Sequence, residues 1–414
     1  MIRRLVAAFV FVCISGSMHA QESRFVIERI EVRNAHRFST RAIVAETLLH
    51  EGGSYTEDDV RNAVARLRHL PFLVWADYTL ANGVVVINVT ESRQFSFLVD
   101  ARGIDLDKSH DAFDYDYSDF TTDWKNAALG ARWFLGTNGS NAHFAMTVLR
   151  NRREFGTNYS AYEIGYTRQD LFGTHVFATL NVRVPVDSVA EHLFTPELIV
   201  GVPLNANQTI TVDWEDTLFR RDTLRILGTD YRRLQAQRAI TVAWTYNTTN
   251  EPYAPASGTF VRIAPSRWME DRADFHSAKP PKLFEADALH VDASGFDFAA
   301  LHYWKLSELN SVSAGVLGGW ADVENRQNPR VLPNDVRWHP AYEILQGGYS
   351  RKLGASRLEF EGRLVSRQRN VQPGSPAFGN DPNYHDHSVE ASARWVRRNS
   401  WGTLRLGVTY EHGN

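Results

Sequence analysis

Two hydrophobic rhythms divide this chain. Beyond residue 94 apolar side chains fall on every second position. Val176, Ala178, Leu180, Val182 and Val184 lie on one side, and Phe177, Thr179, Asn181 and Arg183 on the other. Tyr162, Ile164 and Tyr166 alternate with Glu163, Gly165 and Thr167, and Ile240, Val242, Trp244 and Tyr246 with Thr241, Ala243 and Thr245. The same holds for Leu358, Phe360 and Leu364 against Arg357, Glu359, Glu361 and Arg363, and for Leu404, Leu406, Val408 and Tyr410 against Thr403, Arg405 and Thr409. A period of two over segments near ten residues predicts strands with one apolar and one polar face. Before residue 94 the pattern is mixed. Residues 25–32 (FVIERIEV) read as a strand and residues 39–49 as a helix with Ile43, Val44, Thr47 and Leu48 in one stripe, broken by Gly52-Gly53. Thr56 followed by Glu57, Asp58 and Asp59 has the form of a capping box, and Val60, Val64 and Leu67 recur at helical spacing up to His69-Leu70-Pro71. Residues 74–80 and 84–89 flank Ala81-Asn82-Gly83 as a hairpin, giving the order β-α-α-β-β.

Composition narrows the setting. The 414 residues carry 45 Lys+Arg against 48 Asp+Glu, a net charge of −3 that gives no argument for a nucleic-acid partner. Aromatics reach 12%, while a mean hydropathy of −0.34 is too low for a bundle of membrane helices. A transmembrane barrel escapes that test because its strands average apolar with polar. Trp124, Trp133, Tyr246, Tyr303, Trp304, Trp320, Trp395, Trp401 and Tyr410 fall near expected strand ends, where an interfacial girdle would sit. Residues 1–20 read as a secretory signal, with Arg3 and Arg4, an apolar core over residues 5–14 and cleavage after Ala20. Cys13, the only cysteine, lies inside that core, so the exported chain has no thiol chemistry.

The segments IERIEVRN, Gly52-Gly53-x-Tyr55, RLRHLPFLVWADY and VVVINVTE together resemble a POTRA domain over residues 21–93, with Ala35-His36 where that family places a glycine turn. The resemblance implies a periplasmic module that binds polypeptides by adding them as a strand to a sheet edge.

Residues 94–414 are expected to form the barrel. Tyr246, Pro252, Pro255 and Gly258 lie in a stretch that resembles the Y-D-T-R-D-x-P-x-x-P-x-x-G turn of barrels in the bacterial surface-antigen, or outer-membrane protein assembly factor, superfamily. Gln346, Gly347, Gly348 and Tyr349 resemble that family's inward-folded loop, V-R-G-Y or V-R-G-F, with Gly347 in place of its arginine. By that resemblance Arg351 or Lys352 could take the arginine's part, with Glu390 as acidic partner. The family implies about sixteen strands, whereas about eleven are visible before this loop and about three after it, which points to a fragment lacking two strands. Residues 105–123, 270–282, 321–339 and 368–387 read as loops, and Arg357, Glu359, Glu361 and Arg363 as a solvated lumen lining.

No nucleophile elbow, P-loop, H-E-x-x-H or dinucleotide fingerprint is present. His385-Asp386-His387 falls in an expected loop and defines no metal site. The expectation is therefore a non-enzymatic outer-membrane protein without cofactor: a small α+β POTRA domain followed by a transmembrane antiparallel β-barrel. By the resemblance its partners are unfolded outer-membrane or secreted polypeptides, outer-membrane lipids, and periplasmic chaperones or accessory lipoproteins. The alternatives are a secretion pore dedicated to one partner, a passive porin, and a degenerate relative.

Overall fold

Alternation in the sequence becomes a wall with two faces. The computed structural model describes residues 23–101, 127–150, 158–171, 174–186, 195–226, 229–277, 285–323, 341–368 and 385–413. The signal read at residues 1–20 and the loop read at residues 105–123 lie outside them.

The N-terminal unit consists of β1 (Phe25–Val26), β2 (Arg29–Arg33), α1 (Thr40–Thr47), β3 (Ser54–Tyr55), α2 (Glu57–His69), β4 (Leu73–Ala81) and β5 (Val84–Glu91). Its sheet runs β2-β5-β4, with β2 parallel and β4 antiparallel to the central β5. The single strand expected over residues 25–32 is two. Ile27 donates its N–H to Gly53 O (3.0 Å) and accepts from Gly52 (2.7 Å), so β1 pairs with β3 before the chain joins the main sheet. Both helices start on side-chain caps. Ser39 Oγ accepts from Ala42, and Thr56 and Asp59 cap each other at 3.1 and 2.9 Å. The acids Glu57, Asp58 and Asp59 open α2, and Arg66, Arg68 and His69 close it, each set suiting the dipole at its end. Val60, Ala63, Val64 and Leu67 are fully buried against Ala76, Val85 and Ile87 of the sheet. No glycine is needed after β2, because Asn34 takes the left-handed backbone there (φ 64°) and the Glu91 carboxylate accepts the N–H groups of His36, Arg37 and Phe38 (3.1, 3.0 and 2.9 Å).

The second unit is a closed barrel of β6 (Phe95–Ala101), β7 (Ala127–Phe134), β8 (Asn141–Arg150), β9 (Asn158–Arg168), β10 (Phe177–Val186), β11 (Thr195–Asn205), β12 (Gln208–Ile226), β13 (Thr229–Asn247), β14 (Gly258–Ser277), β15 (Glu285–Lys305), β16 (Asn310–Val323), β17 (Ala341–Leu353), β18 (Ser356–Gln368), β19 (His385–Asn399) and β20 (Gly402–Gly413). Neighbours pair antiparallel except at closure, where β20 meets β6 in parallel over five residue pairs, Gly402↔Phe97 to Leu406↔Ala101. An odd number of alternating strands leaves first and last pointing the same way, so this seam has the slanted, weaker hydrogen-bond pattern of a parallel pair. Outward positions are apolar and exposed, among them Phe144, Ile164, Leu180, Leu345, Phe360, Leu364 and Val408. Inward positions are polar and buried, among them Asn141, His143, Glu163, Asn181, Thr211, Arg363 and Arg405. That inversion of a soluble protein's pattern suits a lipid-facing exterior. Among the described residues no helix is long and apolar enough to cross a membrane.

Several expectations need correction. The strand count is fifteen, where fourteen were visible and sixteen implied. The added strand is β17, which contains Gln346, Gly347, Gly348 and Tyr349. These residues form no inward loop. They sit in continuous register between β16 and β18, Gln346 opposite Gly315 and Arg363, and Tyr349 opposite Val312 and Phe360, and the ladder satisfies their backbone. Glu270 to Ser277, expected in a loop, continue β14 against β15 as far as His276↔Glu285. Polarity there marks strand beyond an apolar band, and cross-strand pairing holds it. Residues 321–323 likewise end β16, and Gln368 ends β18. His385, Asp386 and His387, expected in a loop, open β19. Among the described residues no cluster of His, Cys, Asp and Glu could hold a metal ion.

Candidate functional site

The β7–β8, β11–β12, β13–β14, β15–β16, β17–β18 and β19–β20 turns lie at one rim, and the N-terminal unit sits on that rim. Phe134, at the end of β7, belongs to the core of the N-terminal unit, with its ring 5.6 Å from Phe38, which in turn lies 4.8 Å from Phe72. Phe72 lies over Gly139 of the β7–β8 turn, where a Cβ would collide with the ring. Ser39 N–H donates to Thr137 O of the same turn (2.8 Å).

Polar contacts complete the joint. Carbonyls at the end of α2 and at the start of β4 are taken by a barrel side chain. Arg398 on β19 donates to Arg68 O (2.8 Å), Leu73 O (2.5 Å) and Leu70 O (3.4 Å). Arg68 donates in turn to Asn250 O (3.2 Å) and lies 4.1 Å over the Trp75 ring. His69 Nε2 donates to Thr249 O (2.9 Å). Burial, with the nearby Arg398, Arg66 and Arg68 charges, pushes His69 down to about 4 against the hydrogen bond to Thr249, so the ring is neutral in the docked state. Freed from the joint, His69 would titrate near 6.5. As pH falls from 6.5 toward 4 the undocked chain takes the proton first, and docking weakens by about 1.4 kcal/mol per pH unit. Melting of the N-terminal unit is expected to show that loss, and His69→Gln to flatten it. Identical pH profiles for the two proteins would rule the effect out.

The β13–β14 turn, residues 248–257, is the barrel's half of this joint. Gly258, which opens β14, has φ +109°, and a Cβ there would strike the Thr248 backbone. Beyond Thr249 and Asn250, Glu251 pairs with Arg357 on β18 (3.5 Å). Burial raises the Glu251 carboxyl against the pull of Arg357, Arg398 and Arg68, with Glu359 adding to the rise. The Tyr253 ring lies beneath two guanidinium groups, Arg398 at 5.3 Å and Arg405 on β20 at 5.6 Å. The linker into β6 is pinned beside it. Arg93 stacks 3.4 Å over Trp401 in the β19–β20 turn, and its N–H donates to Ser400 O (2.7 Å).

Of the residues singled out in the sequence, Arg357, Glu359, Glu361 and Arg363 share the inner face of β18, but they are no solvated lining. Glu361 pairs with Arg363 (2.6 Å) and Arg394 (2.6 Å) and accepts from Gln346 (3.1 Å), while Arg394 also meets Glu359 (3.6 Å). Their side chains are 7–13% exposed. Arg357 is anchored on Ser350 (2.9 Å) and Ser311 (3.4 Å). Glu390 meets Arg363 (3.8 Å), the residue opposite it in register. Arg351 and Lys352 stand opposite Leu358 and Arg357 near the turn end of the wall, away from Glu390. Tyr246 stays in β13 and stacks on Trp244 (6.4 Å), and Pro252 and Pro255 lie in the turn. Sequence reading missed Arg398, His69, Glu251 and Tyr253. The last two lie inside the turn motif and were legible as part of it; nothing local marks the first two.

No protein-family model matches the chain, and no curated protein matches it. Among solved structures, the chain is similar to BamA from Haemophilus ducreyi lacking POTRA domains 1–3, at 12% identity over 94% of this chain and 81% of that one, with a TM-score of 0.46. It is similar to CdiB from Acinetobacter baumannii at 9% identity over 94% and 74%, TM-score 0.43. It is also similar to BauA, the ferric preacinetobactin receptor from Acinetobacter baumannii, at 8% identity over 80% and 64%, TM-score 0.37. Likenesses of this degree assign no function.

Proposed function

We propose that the chain is an outer-membrane protein that inserts polypeptides into the membrane or passes them across it. In this reading residues 21–93 are a POTRA domain on the periplasmic side that captures an unfolded client as an added strand. The barrel then opens at its seam and releases the client into lipid or beyond. The observation that carries it is the pairing of two strand-accepting features in one molecule: a free sheet edge on the docked N-terminal unit and a barrel closed by only five parallel residue pairs. Backbone pairing is sequence-tolerant and satisfies groups that lipid cannot, so strand addition suits a client whose edges are still unpaired.

The edge we assign to the client is β4. At its barrel end Ala76 O is already taken by Arg68 (2.6 Å) and Leu73 O by Arg398, and farther out Tyr78 N is covered only by the exposed Asp77 carboxylate (2.8 Å). On the opposite edge, Ile30 N is held by Glu51 (3.0 Å). A photoreactive residue at Thr79, introduced into the full chain in living cells, is expected to capture many unrelated barrel precursors, with few adducts from Arg29 on β2. Capture of one secreted protein alone would assign a dedicated translocator. Absence of polypeptide adducts at both sites would overturn the reading.

A further inference from the structure

We propose that the β13–β14 turn is a bolt that closes the barrel's mouth on the side of the N-terminal unit and is held shut by that unit. The inference goes beyond the transport reading, because it concerns closure of the lumen whatever passes through it.

Counted from β6, the strands flanking the turn are the eighth and ninth of a ring of fifteen. A turn lying along the rim would touch the neighbouring β12 and β15. Instead Glu251 meets Arg357 on β18, and Tyr253 meets Arg398 on β19 and Arg405 on β20, the fifteenth strand. From β14 to β20 is six strand positions, and no two strands of this ring stand more than seven apart. With strands about 4.8 Å apart and tilted by about 40°, a circular ring of this size is about 30 Å across. Contact over such a chord requires the turn to lie across the opening, and any flattening of the ring that shortened the chord would narrow the same opening.

The turn is built to hold a shape while doing so. Asn250 Oδ1 accepts the N–H groups of Ala256 (2.8 Å) and Ser257 (3.1 Å), and Asn247 Oδ1 accepts the N–H and hydroxyl of Thr249 (2.9 and 2.7 Å). Pro252 and Pro255 remove backbone freedom between them. Ala254 and Ala256 are buried, 3% and 8% exposed, although they lie in a turn. The outer side of the bolt is gripped by α2 through Arg68 and His69, and Arg398 bridges the two, binding the α2 carbonyls and lying over Tyr253. Movement of the N-terminal unit off the rim would therefore withdraw one set of the bolt's contacts.

The test uses the full chain in planar lipid bilayers. The wild type is expected to rest in a low-conductance state. The double variant Glu251→Gln, Tyr253→Ala is expected to raise time-averaged conductance several-fold, with a heat-modifiable band confirming that the barrel is closed. Equal conductance in the two proteins, both folded, would overturn the proposal. A second measurement needs no loss of contacts. In a Cys13→Ser background, Tyr253→Cys paired with Arg405→Cys is expected to cross-link through a short bifunctional thiol reagent, and Tyr253→Cys paired with Thr209→Cys on β12 is not. Cross-linking to β12 and not to β20 would place the turn along the rim and overturn the bolt.

Discussion

Arg398→Ala is expected to loosen the N-terminal unit from the barrel while leaving both folded. One guanidinium serves Arg68 O in the last turn of α2 (2.8 Å), Leu70 O just after it (3.4 Å) and Leu73 O at the start of β4 (2.5 Å). Hydrogen bonds from a charged donor contribute about 1.5–3 kcal/mol each, and they share one side chain, so the expected cost to docking is about 3–5 kcal/mol. The positive charge also opposes the negative end of the α2 dipole. Lysine offers a single charged point in place of a planar fork, so Arg398→Lys should recover less than half of the loss. Hydrogen exchange at residues 68–73, followed in the full chain, reads the effect directly. Faster exchange confined to the joint is expected; unchanged protection would mean that the apolar contact alone carries the docking.

Phe72→Ala has the larger expected effect on the N-terminal unit itself. Its side chain is fully buried and belongs at once to the domain core, through Phe38, and to the rim, through Gly139. Emptying such a site costs about 3–5 kcal/mol, through lost transfer energy and the cavity left behind. A domain of about 70 residues has little more stability than that to lose. The variant is expected to melt its helices and small sheet at moderate temperature, well below the barrel, as two separated transitions by circular dichroism. A single unshifted transition would show that the site collapses without cost.

What could be read in advance follows from the range of each signal. Period-two alternation is local, so most barrel strands were visible, down to individual segments such as residues 176–184. The capping box at Thr56 and the Asn82-Gly83 hairpin (φ 49° and 74°) are likewise written within a few residues. Gln346 to Tyr349 read as a loop through their resemblance to a family motif, and only pairing with β16 and β18 places them in a strand. Residues 270–277 misled for the opposite reason: their polarity is that of a loop, yet β15 holds them in register. The joint was least legible. Arg398 lies 330 residues from the carbonyl of Arg68 that it binds, and in Arg397-Arg398 nothing distinguishes it from its neighbour. His69 reads as a helix-ending residue, and only its burial against Thr249 gives it a partner.

The unequal strand lengths give the outer opening a direction. β6 and β7 have seven and eight residues, whereas β12, β13, β14 and β15 have 19, 19, 20 and 21. At about 3.3 Å per residue and a tilt of about 40°, a 20-residue strand rises about 50 Å, roughly twice the apolar band of such a barrel. Among the described residues the wall therefore stands tallest over β12 to β15, hydrogen-bonded to its neighbours. Under the proposed transport role, a polypeptide that emerges on that face meets the tall wall of β12 to β15 on one side.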